Sequence, residues 1–364
     1  MEKIGRYYRL EQLARLGLPN QIFIPALLQE LHHEMPSHSN TFCWQNAQEM
    51  LSNIYDEIHN TETTNKFIVS MASNKPDIYA NIPNWISQLD QPATPFNHYG
   101  KDHCVATFYK TILNPMGYYN SCLVPVRQAV NNKRLGVLMV HRQQGTADFT
   151  EDDCHKLQHI STIIAHGLSQ TNTKHLSTTD GWEQGLLLID LHGNLQHACS
   201  TGNKLLSLAS CSRFDVSTKP TENDIYIFGD LNRLITNLTE PDNHKQAICD
   251  PTLTMCNAWG EFKLRGFLIK DLSGNRANQI GLNIRWQEPF LLKLFHRIRN
   301  LTLTPRQETV GLLYAAGDPH QTIADKLNLS LYTVKEHVGN INERLNIHSR
   351  ADLIELIICD KSSD

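Results

Sequence analysis

Six residues of one short segment, Tyr332, Lys335, Glu336, Gly339, Asn340 and Glu343, share a single polar helical face. They do so because Val334, Val338, Ile341 and Leu345 recur at i, i+4, i+7 and i+11, one continuous apolar stripe on the opposite side. A polar helix face held proud by two packed helices is the geometry that enters a DNA major groove, where side chains meet base edges. Glu336, where it reaches a base, accepts from cytosine N4, a contact worth about 1–3 kcal/mol of discrimination. Otherwise it is a solvated charge on a helix surface.

The elements that must hold this face are legible from caps and periodicity. Thr304 reads as an N-cap with Pro305 at the first helical position, where its missing donor costs nothing. Val310, Leu313 and Tyr314 follow at helical spacing, and Gly317 ends that helix. Asp318-Pro319 repeats the same start signal, and Ile323, Ala324 and Leu327 form the buried side of a short second helix. Asn328-Leu329 make the turn and Ser330 caps the helix that bears the polar face. Ser349 caps a fourth, whose Leu353, Leu356 and Ile357 pack back or pair with a second copy.

The runs Leu303-Thr304-Pro305-Arg306-Gln307, Gly317, Ile323-Ala324-Asp325-Lys326-Leu327, Ser330, Thr333-Val334-Lys335-Glu336-His337 and Ser349-Arg350-Ala351 keep fixed spacing. Over residues 301–358 they closely resemble the LuxR/FixJ/GerE type of helix-turn-helix. The resemblance implies that Thr333 touches a phosphate and that Lys335, Glu336 and Gly339 sit where family members meet bases or backbone. His337, Asn340, Gln321 and Arg350 complete the DNA-binding set it implies. The bland alternative is a small helical bundle used for dimerisation or protein contact. Three departures weigh on the reading. Gln307 replaces the usual Glu, Gln321 stands where many members carry a phosphate-facing Lys, and Gly339 stands where a second basic residue is common.

From Leu291 onward there are nine Lys+Arg and nine Asp+Glu, so the segment is electrically balanced. Most sequence-independent DNA affinity comes from Lys/Arg–phosphate contacts that release counterions. A neutral module is expected to bind weakly alone, to lose affinity early with salt, and to depend on dimerisation.

The whole chain has 364 residues, 40% hydrophobic and 19% charged, with a formal net charge of −4, which suits two or three globular domains. No apolar run approaches the roughly 18 residues of a membrane span, and the first residues lack the apolar core of a signal peptide. Nine scattered Cys form no CxxC or Cys/His spacing, which reads as a reducing cytoplasm. His32-His33 with His38, and the i, i+4 pair His155/His159, are the closest histidine clusters, and no third ligand accompanies the pair; no metal is expected. Walker-type, G-x-S-x-G and Rossmann glycine patterns are absent, so neither an enzyme nor a cofactor is expected.

Upstream, amphipathic helical sequence (Tyr8, Leu10, Leu13, Ala14, Leu16; then Ile24, Leu27, Leu28, Leu31) precedes strand-like Thr41–Gln45 and Leu51–Ile58. Tyr119–Gln128 and Leu135–Arg142 read as a hairpin across a polar turn. Thr150 caps a following helix with Asp153 as its capping-box partner, and Leu157, Ile160, Ile164 and Leu168 are that helix's core stripe. This order resembles a GAF domain, an antiparallel sheet flanked by helices that binds a small molecule or mediates dimer contacts. Trp44, Tyr55, Trp85 and Phe108 are the candidate ligand-lining residues, with Phe96 and Tyr99 beside them. Ordinary packing is the competing account of each.

Gln170 to Asp180 reads as a polar linker. Beyond it come a strand from Gly185, a turn through His192-Gly193-Asn194, a second strand, a helix over Gly202–Leu208, and a closing hairpin over Gly260–Lys270 and Gln279–Trp286. That order resembles a PAS domain. Gln287-Glu288-Pro289 punctuates the boundary before a helix over Phe290–Arg299.

The fold expected is α+β: GAF-like and PAS-like α/β sensor domains at 1–175 and 180–288, then an all-α four-helix LuxR-type helix-turn-helix domain at 289–364. The function expected is that of a cytoplasmic, homodimeric, sequence-specific transcriptional regulator binding double-stranded DNA, with a signal such as a small-molecule ligand acting on the upstream domains. The alternative is a protein-interaction regulator that sequesters a partner and binds DNA weakly.

Overall fold

The protein is described from a computed structural model, over residues 7–49, 51–57, 92–96, 109–170, 178–210, 234–236, 238, 252–257, 260–270 and 276–358. Two antiparallel sheets with flanking helices precede a C-terminal all-helical region. The chain groups into two compact units. One comprises Met1–Met35, Thr162–Thr179 and Pro289–Asp364, the other Pro36–Ser161 and Asp180–Glu288.

The second unit contains both sheets. Strands β1 (Ser39–Gln45), β2 (Leu51–Asp56), β3 (Thr94–Pro95), β4 (Asn120–Arg127) and β5 (Arg134–Arg142) form the first, in the order β2-β1-β5-β4-β3. The expected hairpin is β4–β5, with Val124 opposite Leu138 and Cys122 opposite Val140. Period-two alternation sorts its residues onto two faces. Cys43, Leu123, Val137 and Met139 take one, joined by Tyr118, Ile112, Leu113 and Phe96 in a buried cluster. Phe42, Cys122, Val124, Leu138 and Val140 take the other, and all are buried. Gly136 is required by that second face, because a Cβ there would sit 2.5 Å from the Phe42 ring.

Helix α3 (Glu151–Ser169) follows. Its start is the expected reciprocal cap: Asp153 N–H donates to Thr150 Oγ1 at 3.2 Å, and Thr150 N–H donates to Asp153 Oδ2 at 3.1 Å. Leu157, Ile160 and Ile164 are completely buried, as their spacing requires.

The second sheet runs β7-β6-β10-β9-β8, from β6 (Thr178–Asp190), β7 (Leu195–Ala198), β8 (Thr252–Asn257), β9 (Gly260–Lys270) and β10 (Arg276–Pro289). The linker read over Gln170 to Asp180 is thus shorter than expected, because Thr178 to Asp180 already belong to β6. Polar Thr and Asp gave no alternation there to mark a strand. The β6–β7 turn is built by Asp190, whose carboxylate accepts from the backbone N–H of His192 and Asn194, both at 2.8 Å. Helix α4 (Ser200–Ser210) then packs so closely on β6 that a Cβ on Gly185 would lie 2.3 Å from Gly202 Cα. Residues 271–275, between β9 and β10, lie outside the described residues.

The first unit holds α1 (Tyr8–Arg15), α2 (Asn20–Glu34), the end of α3, and the C-terminal helices α5 (Phe290–Ile298), α6 (Pro305–Ala315), α7 (His320–Leu327), α8 (Leu331–Leu345) and α9 (Arg350–Ile358). Phe23 of α2 lies over Gly167 of α3, where a Cβ would meet the ring at 2.2 Å. Helix α1 packs on α5 and α6 through polar groups that are themselves buried. Arg9 donates to the Phe295 carbonyl at 3.2 Å and lies 3.7 Å over the Phe295 ring, and Gln12 Nε2 donates to Thr309 Oγ1 at 2.8 Å.

Candidate functional site

The C-terminal helices are assembled by caps that are each visible as hydrogen bonds. Thr304 Oγ1 accepts from Gln307 N–H while the Gln307 side chain accepts from Thr304 N–H, so glutamine serves the capping box as well as the usual glutamate. Gly317, at φ +98°, ends α6, and Asn328, at φ 50°, ends α7 and starts the tight turn. Ser330 Oγ accepts from Thr333 N–H at 3.0 Å and so fixes the first turn of α8. Ser349 and Asp352 cap α9 reciprocally. One start signal is used differently from the sequence expectation. Pro319 is the N-cap of α7 and contributes no side-chain bond, whereas the buried Asp318 carboxylate accepts from Lys326 at 2.8 Å. Burial beside a lysine competes with capping, and the ion pair wins.

On α8, Val334, Val338 and Ile341 are buried, while Lys335, Glu336, Gly339, Asn340 and Glu343 are exposed and Tyr332 is 77% exposed. Thr333 and His337 are half-buried at the margin of this face. Space around Gly339 is open, since a Cβ there meets nothing within 4 Å. Gln321 is exposed on α7 with its amide turned to Asp325 at 2.9 Å. Arg350 is committed inward: it donates to the Asp318 carbonyl at 2.8 Å and stacks 4.4 Å over the Tyr314 ring.

The positive charges divide accordingly. Lys293 is buried, Arg297 donates to the Ile358 carbonyl at 2.6 Å, Lys326 pairs with Asp318, and Arg350 ties α9 to the α6–α7 turn. Arg299, Lys335 and Arg344 are exposed and Arg306 is half-buried; Lys361 lies outside the described residues. The exposed side of α8 itself carries Lys335 and Arg344 against Glu336 and Glu343. Little net cation is left to face a phosphate chain.

In the first sheet the aromatic candidates separate. Trp44 and Tyr55 share the face of Phe42, since Tyr55 is opposite Phe42 in the β1–β2 register and Trp44 meets the Phe42 ring edge-on at 5.0 Å. Phe96 belongs to the cluster on the other face. Trp85, Tyr99 and Phe108 lie outside the described residues.

Sequence reasoning missed a buried polar chain on the face of Cys43 and Met139. His141 is fully buried, with Nε2 2.8 Å from Thr41 Oγ1 and Nδ1 2.7 Å from Ser121 Oγ, and it stacks on Tyr118 at 4.0 Å between ring centres. Thr41 and Tyr118 both donate to the Asp56 carboxylate, the Tyr118 hydroxyl at 2.6 Å. With Thr41 donating to Asp56, the Thr41 oxygen takes the Nε2 proton and Nδ1 accepts from Ser121, which fixes a neutral tautomer. Parity was the available signal: His141 is two residues beyond Met139 on the same strand and must share its face.

Burial, aided by the charge of His38, holds the His141 imidazole at about 3, far below its ordinary 6.5. Because the unfolded chain takes up this proton and the folded one does not, its contribution to stability is complete above pH 6.5 and lost as pH falls from there toward about 3. Each pH unit inside that window is expected to cost up to about 1.4 kcal/mol. Urea midpoints at pH 7, 6 and 5 check this against His141→Gln. The wild type should lose stability more steeply, and parallel curves would exclude a neutral buried imidazole.

The second sheet borders a cavity of about 820 Å³ lined by Gln184, Thr252, Lys263, Arg265, Asn283 and Arg285, among others. Its volume falls among those of small-molecule sites, roughly 300–1,000 Å³.

Comparison with known proteins bears on both regions. Residues 301–357 match the model of bacterial regulatory proteins of the luxR family, and residues 56–168 match the GAF domain; both are regulatory families and neither is an enzyme family. Over 94 residues the chain is 32% identical to the HTH-type transcriptional regulator MalT of Vibrio campbellii and of Vibrio parahaemolyticus. That alignment covers 24% of this chain and only 10% of those proteins, so the chain matches about a tenth of the length of these curated relatives. Among solved structures, the E. coli DhaR(N)–DhaL complex aligns over 78% of this chain and 91% of that one, at 12% identity and a TM-score of 0.25. The phage VqmA–DPO complex aligns over 49% and 81%, at 17% identity and a TM-score of 0.17. Neither TM-score carries weight for the fold. Among the described residues no helix is long and apolar enough to cross a membrane. The capped helices, the exposed polar face of α8 and the family match agree: the chain carries a LuxR-family DNA-binding helix-turn-helix at residues 301–357, downstream of a GAF domain at residues 56–168.

Proposed function

We propose that the protein is a cytoplasmic transcriptional regulator that binds a specific operator as a homodimer, under the control of a signal received by the upstream sheets. The observation that carries this reading is α8 itself: a capped helix, packed through Val334, Val338 and Ile341, whose exposed side bears Lys335, Glu336, Gly339 and Asn340. In this reading Thr333, at its first turn, touches a phosphate, and Gln321 and His337 contribute beside it. Arg350 acts by holding α9 in position rather than by reaching outward.

Pairing two such helices about 34 Å apart, one turn of DNA, compensates for the small cationic surface of each. The signal then works by shifting the population toward the dimer whose helices have that spacing. A small molecule at the first sheet, near Trp44 and Tyr55, or in the cavity of the second, PAS-like sheet fits this scheme. The blocks 1–175, 180–288 and 289–364 are its working divisions, supported by the new sheet that β6 opens and by Pro289 ahead of α5.

A second reading, a regulator that sequesters a protein partner, draws support from one observation: Lys293, Arg297, Lys326 and Arg350 are engaged within the helical unit and not directed at a phosphate chain. Selection of bound sites from a random duplex library at two salt concentrations separates the two. The full-length protein is expected to enrich a two-fold symmetric site, and Lys335→Ala is expected to abolish the enrichment. Absence of any enriched site at the lower salt would favour the partner-binding reading.

A further inference from the structure

We infer that Cys122 and Cys154 form a redox-active dithiol, oxidised by hydroperoxides to an intramolecular disulfide. Cys122 lies on β4 with 0% of its surface exposed, and Cys154 is partly exposed in the first turn of α3. Their sulfurs are 3.8 Å apart, in contact as thiols. A disulfide needs about 2.05 Å, so closing it draws the two sulfurs together by about a further 1.8 Å. Two thiols brought together from positions 32 residues apart, by a strand and a helix cap, are a different matter from nine scattered cysteines.

The two sulfurs are unequal, and the inequality assigns their roles. Burial, with the Cys154 sulfur alongside, raises the Cys122 thiol well above its ordinary value, so it stays protonated and out of reach of a soluble oxidant. Cys154, partly exposed, is the one a peroxide can reach. The Cys154 thiolate attacks one peroxide oxygen, the O–O bond breaks, and hydroxide (or alkoxide) leaves, giving a sulfenic acid. The Cys122 sulfur then attacks the Cys154 sulfur. Its proton joins the departing hydroxyl as water, and the S–S bond forms. In all, two thiols lose two electrons to one peroxide, with two waters formed when the oxidant is hydrogen peroxide.

The bond would tie the first turn of α3 to β4 next to the Thr150–Asp153 cap and the Arg142–Asp153 ion pair at 3.1 Å. No other sulfur–sulfur contact is seen among the described cysteines Cys43, Cys122, Cys154 and Cys199.

The test treats native full-length protein with hydrogen peroxide, blocks the remaining thiols, and maps disulfides by peptide mass. The dithiol predicts that the free thiol count falls by two and that the peptide joining Cys122 to Cys154 dominates. In Cys122→Ala, Cys154 should instead accumulate as a sulfenic acid trapped by dimedone, and in Cys154→Ser neither product should form. Dimedone-trapped or over-oxidised Cys154 in the wild type, with no joined peptide, would overturn the inference. So would a mixture of pairings like that formed in urea. Cys154→Ser, at a partly exposed position, keeps the test interpretable should Cys122→Ala fold poorly.

Discussion

Arg9→Ala is expected to destabilise the helical unit by about 3–5 kcal/mol, the cost of breaking a buried ion pair from one side. Arg9 and Glu30 are 8% and 7% exposed, and the guanidinium lies 3.4 Å from the Glu30 carboxylate. The same group donates to Gln12 Oε1 at 3.2 Å and to the Phe295 carbonyl at 3.2 Å, and covers the Phe295 ring. Removing it leaves a buried carboxylate without its cation and a buried carbonyl without its donor, each a named route to large losses. Burial already pushes the Glu308 carboxyl upward against the pull of Arg9 and Gln12, so losing Arg9 moves it higher still. The loss is expected to be partly reversed by Glu30→Gln in the same background, because the second change removes the stranded charge. Thermal or urea unfolding of the single and double variants measures this coupling. A single-variant loss under about 0.5 kcal/mol, the range of ordinary surface substitutions, would mean that α1 does not pack on α5 and α6 as described.

That lock also marks where the sequence stopped being legible. Amphipathic spacing announced α1 and placed Leu10 and Leu13 inward, and both are fully buried. Arg9 and Gln12 sit on the same helix, and their type suggests solvent. Their partners, Phe295 and Thr309, lie 286 and 297 residues away, and no local pattern can report a pairing at that distance. Period and caps, by contrast, are local. The stripe Val334, Val338, Ile341, the Thr304 and Ser330 caps and the β4–β5 hairpin are all where the spacing put them. Type without face was the weaker guide in the first sheet. Trp44 and Tyr55 were grouped with Phe96 as aromatics, yet strand parity sets them on opposite sides of the sheet. The same parity would have drawn attention to His141 beside Met139. At Asp318 the motif gave the right neighbourhood and the wrong bond, because the lysine that claims its carboxylate is on the next turns of α7.

Gly339→Lys is expected to raise affinity for duplex DNA and to steepen its dependence on salt. The position is exposed on α8, its missing Cβ faces open space, and Glu336 and Glu343 stand one turn away on either side along the same face. In a helix interior lysine is favoured over glycine by several tenths of a kcal/mol up to about 1 kcal/mol, so stability should rise slightly. Each new phosphate contact adds about 0.9 to the magnitude of the slope of log K against log salt. The proposed homodimer would present the position twice, and its slope should then steepen by about 1.8. Because a phosphate contact carries no sequence information, the gain should be the same for an operator and for an unrelated duplex, leaving their ratio unchanged. Gly339→Ala separates the two effects: it should share the gain in helix stability and leave the slope alone. A slope unchanged in Gly339→Lys would place this side of α8 away from the phosphate chain. A gain confined to the operator would mean that residue 339 faces the bases, and the small net charge of α8 would then be a property of its reading surface, with affinity supplied by the second half of the dimer.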